Sequence, residues 1–80
     1  MIVLAVADNE VIFSNGNIVS IGIDEENPHN LIVGLINHDD YYFDGKNATE
    51  FLRQFPRNYF EKAPEILKLY DAFWLEQISV

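Results

Sequence analysis

The pattern of hydrophobic positions changes period once along the chain. Up to Asp44, apolar residues come in short runs or alternate with polar ones, as strands require; beyond it they recur every three or four residues, as helices require. Ile2–Ala7 is an apolar run closed by Asp8-Asn9-Glu10. In Val11–Ser14, Val11 and Phe13 share one side, Ile12 and Ser14 the other. Ile18–Ile23 sets Val19, Ile21 and Ile23 against Ile18, Ser20 and Gly22, and its β-branched residues suit a pleated, half-buried surface. Leu31–Ile36 is a further apolar run, and Tyr41–Phe43 a short fifth candidate. Asn15-Gly16-Asn17 is a turn signal, because Asn-Gly supplies the positive φ values of a tight hairpin. Asp24–Asn30, with Pro28, reads as a polar loop, and Asn37–Asp40 as another turn.

Past Asp44, Asn47 followed three residues later by Glu50 resembles a capping box and predicts a helix over 48–55. Ala48, Phe51, Leu52 and Phe55 fall on one face, and Pro56 stops the run. Residues 57–63 form a connection with one helical turn around Tyr59 and Phe60. Pro64 suits the first position of a second helix, expected over 64–77. Its Ile66, Leu67, Leu69, Tyr70, Phe73, Trp74 and Ile78 cover about half the circumference, wide enough to lie on a sheet. Phe73 and Trp74 are expected to pack on that sheet, with Ile21 and Val33 among the facing residues. Strands followed by helices indicate the α+β class. The expectation is an antiparallel four- to five-stranded meander followed by two helices packed on one face. One domain, 1–80, is expected, with the sheet in 1–45 and the helices in 46–80.

Composition narrows the possibilities. A chain of 80 residues buries roughly 60–65% of its unfolded surface, so it builds one small core or shares one. The apolar fraction of 49% is ample for a core and speaks against intrinsic disorder. The absence of Cys excludes a disulfide scaffold and Cys-ligated metal sites. The apolar start is too short and lacks the basic flank of a signal peptide, and no run has the length of a membrane span. A soluble cytoplasmic protein is therefore expected.

Charge is the least even property of the chain. Residues 1–45 hold eight acids (Asp8, Glu10, Asp24, Glu25, Glu26, Asp39, Asp40, Asp44) and no base; residues 46–80 hold five of each, so the whole net charge of −8 belongs to the first part. The acids cluster at strand ends. In a meander alternate turns share an end of the sheet, which would gather Asp8, Glu10, Asp24, Glu25, Glu26 and Asp44. Such a rim solubilises a small apolar protein, docks a basic partner, or binds a cation. The Asp24–Asn30 segment lacks the ligand spacing and glycine of an EF-hand loop. Direct binding to a nucleic-acid backbone is not expected, since that needs clustered Lys and Arg.

Residues with catalytic potential form no recognisable set. His38-Asp39-Asp40 places an imidazole beside two carboxylates, but Asp and Asn in turns are explained by local hydrogen bonds. His29 is expected to be exposed. No serine lies in a Gly-x-Ser-x-Gly elbow, and Gly22 and Gly34 suggest bulges or close packing. No enzyme activity, cofactor or metal is expected. Among the aromatics, Tyr41, Tyr42, Tyr59 and Phe60 are interface candidates, because consecutive aromatics cannot all turn inward.

These readings converge on a non-enzymatic binding or inhibitor protein that docks on a basic protein, such as a nucleic-acid-binding protein or nuclease. Anti-restriction and anti-CRISPR proteins of phages and mobile elements, and immunity proteins, share this size and charge. The expected contact residues are the eight acids named above with Tyr41, Tyr42, Tyr59 and Phe60. The alternatives are a structural or regulatory subunit assembling through its sheet edge, with a homodimer possible, or a carboxylate-rich metal-binding module.

Overall fold

A computed structural model describes residues 1–74. Five strands, β1 (Ile2–Ala7), β2 (Glu10–Ser14), β3 (Ile18–Asp24), β4 (Asn27–Leu35) and β5 (Tyr41–Asp44), precede helix α1 (Gly45–Leu52), a 3₁₀ turn (Arg57–Phe60) and helix α2 (Pro64–Tyr70). The strands form one sheet in the order β1-β2-β3-β4-β5, and each neighbouring pair is antiparallel. This is the expected α+β meander with its helices after the sheet.

Alternation within the strands decides what is buried. Val11 lies opposite Ile21, which lies opposite Val33; Ile23 lies opposite Leu31, which lies opposite Phe43. With Phe13, these residues form the helix-covered face and pack against Ala48, Leu52, Phe60, Ala63, Ile66 and Leu69. Fully burying one such aliphatic or aromatic side chain stabilises by roughly 1.5–3 kcal/mol. An aromatic file runs from the sheet edge into the core. Phe43 stacks on Phe51 with centroids 4.5 Å apart, Phe51 meets Phe55 at 5.4 Å, and Phe60 meets Tyr70 at 5.7 Å. A backbone bond from Glu65 N–H to the Asp8 carbonyl, 3.0 Å, ties the start of α2 to the β1–β2 turn.

The structure corrects several expected boundaries. The supposed loop Asp24–Asn30 is mostly strand. Asp24 pairs with Asn27 and Ile23 with Leu31, so Pro28, His29 and Asn30 bulge out between two ladder positions. Proline is tolerated there because the bulge does not need its missing N–H. At the second turn only Asn15 takes a positive φ, of 62°; Gly16 does not. Helix α1 starts before Asn47, so no Asn47–Glu50 capping box forms. Asp44 occupies the cap position in extended conformation without a side-chain cap bond. Gly45, at φ 47°, makes the turn from β5 into α1 in a region that L side chains rarely adopt. The helix ends at Leu52, well before Pro56, and Phe55 is reached through a turn closed by its N–H on the Leu52 carbonyl, 3.0 Å.

The helix expected over 64–77 begins at Pro64 but stops at Tyr70. Phe73 consequently does not pack on the sheet and is 79% exposed. Trp74, half-buried, does pack against the core, but at its margin: its Nε1–H donates to Thr49 Oγ1 at 2.7 Å, and its ring meets His29 edge-on at 5.4 Å. Residues 75–77 and Ile78 of the expected helix lie outside the described residues.

Candidate functional site: the uncovered sheet face

Helices cover one face of the sheet only, so the side chains that alternate away from the core define a second, open face. Its geometry follows from the register. One row crosses the sheet as Ala7, Glu10, Gly22, Ile32 and Tyr42. The next runs Ala5, Ile12, Ser20 and Gly34. Small residues thus occupy the middle of both rows. A Cβ at Gly34 would collide with the Ser20 hydroxyl and press on Val19, so the side chains of β3 fill the space over this glycine. The face sinks where these residues meet. A hollow of about 290 Å³ opens, lined by Asn9, Glu10, Ser20, Gly22, Glu25 and Asp40 among others. Half-buried Ile12, Val19 and Ile32 and exposed Tyr42 border it with apolar surface.

Three acidic residues from distant parts of the sequence line the hollow. Glu10 opens β2 and Glu25 lies in the β3–β4 turn, positions that share an end of the sheet as the meander requires. Asp40 comes from the opposite end, just before β5, and was not expected to join them. No Lys or Arg occurs in residues 1–45, and the helical elements that carry the bases cover the other face. Several of those bases are engaged. Arg57 makes a two-pronged contact with Asp71, at 2.7 and 3.1 Å, and Lys68 pairs with Glu65 at 3.3 Å. The hydrogen bond from Arg57, reinforced by its charge, holds the Asp71 carboxyl below its usual value despite partial desolvation. The same hydrogen bond raises Arg57.

The remaining expected contact residues divide. Asp8, Glu26, Asp39 and Asp44 are exposed. Asp24 is half-buried and accepts the Glu26 N–H at 2.9 Å, so it builds the β3–β4 turn rather than presenting a free carboxylate. Tyr42, 63% exposed, stands on the open face, whereas Tyr41 turns to the helical side with its ring 5.0 Å from Phe43. Tyr59 is half-buried against Phe13 and Phe60. Phe60, expected at an interface, is instead fully buried in the core. The reason is the 3₁₀ turn, which swings Phe60 under α2 while leaving Asn58 outside.

Among the described residues no three His, Asp or Glu side chains converge as ligands. His29 lies against Trp74, and His38 is exposed in the β4–β5 connection. No helix among the described residues is long and apolar enough to cross a membrane. Comparison with protein-family models, with curated proteins and with solved structures finds no match to this chain.

Proposed function

We propose that this chain is a small acidic binding protein that docks its uncovered sheet face on a basic protein surface. The partner is of the kind that handles nucleic acid, and the effect is inhibition by occupying its Lys/Arg groove. The observation that carries this reading is the hollow lined by Glu10, Glu25 and Asp40, set in an apolar sheet face with no base in residues 1–45. Three carboxylates around a concave, partly apolar floor suit an inserted Lys or Arg side chain. The guanidinium or ammonium gains charge-assisted hydrogen bonds, while its methylene stem covers Ile32. The eight acids of residues 1–45 extend the field beyond the hollow and speed encounter with a cationic partner.

Affinity capture from lysate, followed by kinetics with the purified captured protein, tests the reading. A basic partner is expected, with an association rate that falls as salt rises. Changing Glu10, Glu25 and Asp40 together to Lys should abolish capture without unfolding the protein. Undiminished binding by that triple variant, or a captured partner with no basic surface, refutes it.

A further inference from the structure

Strand β1 forms one edge of the sheet, and among the described residues no strand pairs with its outer side. Natural edges are blunted by charge, proline, shortness or a bulge. The other edge, β5, is four residues long, lies between Asp40 and Asp44, and runs directly into α1. By contrast β1 is six residues, Ile-Val-Leu-Ala-Val-Ala, without charge or proline. It leaves Ile2 56%, Leu4 64% and Val6 38% exposed. Its one irregularity is a bulge between Val3 and Ala5.

We propose that β1 pairs with β1 of a second copy, antiparallel and about a two-fold axis, to make a continuous ten-stranded sheet. The inference does not depend on the basic partner. Two features of the edge point to a second copy.

The first is the bulge. Opposed residues of an antiparallel pair point to the same face. The register assigns Ile2, Ala5 and Ala7 to the open face and Val3 and Val6 to the helical face. Read from either end, this order is the same. Setting Ile2 against Ala7 of the second copy, and Val3 against Val6, therefore keeps the partners of each of these pairs on one face. Without the bulge, strict alternation would put these partners on opposite faces.

The second feature is charge. Residues 1–45 carry only acids, so most two-fold contacts through the sheet set carboxylate against carboxylate. Alongside β1, on the helical side, runs a groove of about 360 Å³ lined by Val3, Val6, Asn58, Tyr59, Glu61 and Lys62. Glu61 and Lys62 are both exposed, and neither forms an ion pair among the described residues. A two-fold axis perpendicular to the sheet brings the two grooves together, where Glu61 of one copy can meet Lys62 of the other. An uncharged strand offers a basic partner nothing to attract it. The same axis leaves both helical layers on one side and both acidic hollows on the other.

Sedimentation velocity over about 1 µM to about 1 mM reads the association directly. The chain should shift from monomer to dimer and stop there, with the β1 amides gaining protection from hydrogen exchange as the dimer forms. Leu4→Lys, at an exposed position, should weaken dimerisation at least about tenfold with an unchanged circular-dichroism melt. Glu61→Lys should weaken it, and adding Lys62→Glu should restore it. Changing Glu10, Glu25 and Asp40 to Lys should leave the dimer in place, which keeps this test separate from that of the basic partner. A chain that stays monomeric, a dimer indifferent to Leu4→Lys, protection of β1 only by a foreign peptide, or growth into open fibres would each overturn the proposal.

Discussion

Thr49 is a polar side chain buried in the core, and both of its hydrogen-bonding capacities are used. Its Oγ1 donates to the Leu69 carbonyl at 2.6 Å and accepts the Trp74 indole N–H at 2.7 Å. One hydroxyl therefore joins α1 to the end of α2 and to the chain beyond it. Thr49→Val preserves shape but leaves the Leu69 carbonyl with only the long bond from Ala72 N–H, 3.4 Å, and takes the acceptor from the Trp74 indole N–H, and should cost about 1–3 kcal/mol in urea unfolding. Because Trp74 is the only tryptophan, its fluorescence should shift to longer wavelength in the same variant. Gly34 poses the opposite case, a position where an added Cβ meets the side chains of Ser20 and Val19. Gly34→Ala should destabilise by about 1–3 kcal/mol through its clash with Ser20 Oγ. In a Ser20→Ala background the same change should cost clearly less, since Ser20 Cβ lies at an ordinary 3.6 Å. Equal costs in both backgrounds would mean that the two residues do not oppose each other.

Helix α2 is short, and side chains from outside it satisfy its last carbonyls. Arg53 reaches from the end of α1 to the Tyr70 carbonyl at 2.8 Å and the Ala72 carbonyl at 3.0 Å. Cations at a helix C-terminus are favourable both as hydrogen-bond donors and against the dipole. Tyr70 returns the tie, its hydroxyl donating to the Phe55 carbonyl at 3.0 Å. Arg53→Ala should cost about 0.5–1 kcal/mol, given the exposure of the arginine. It should also speed hydrogen exchange in the last turn of α2 more than in β3. The Arg57–Asp71 pair adds a pH dependence of known sign. Its carboxyl titrates lower in the folded chain than in the unfolded one, so the pair stabilises fully above the usual aspartate range. That contribution disappears as pH falls through the lowered folded value. The stability gap between the wild type and Asp71→Asn should therefore be present at neutral pH and close in acid; a gap that persists in strong acid would show that it arises from packing instead.

Over the whole molecule, charge and cover are segregated. The acid-only segment folds into a sheet with one open face, while the balanced segment supplies the lid for the other face. Self-repulsion among the acids is the cost of that arrangement. Added salt should accordingly raise the melting temperature, and the Glu10, Glu25 and Asp40 triple change to Lys should flatten that dependence. A melting temperature insensitive to salt would place the acids too far apart to interact.

The sequence by itself determined the class of the fold. Short apolar runs and alternation before Asp44 and the helical period after it sufficed for a meander of four or five strands followed by two helices, because both signals depend only on neighbours along the chain. It also determined the charge asymmetry and the inward turn of Val11, Ile21 and Val33, but not that the irregularity between Ile18 and Ser20 would set Ile18 rather than Val19 against the core. Tertiary structure decided where elements stop and which residues meet. The end of α2 at Tyr70 depends on Arg53 and Phe55, many residues earlier, so an unbroken apolar pattern through Trp74 overstated the helix. Phe73 and Phe60 exchanged their expected roles because their exposure follows from those ends. Asp40 reached Glu10 and Glu25 only through the register of four strands across a floor of small residues. Register is a non-local property, set by how whole strands bury their apolar sides, and no local pattern of residues records it.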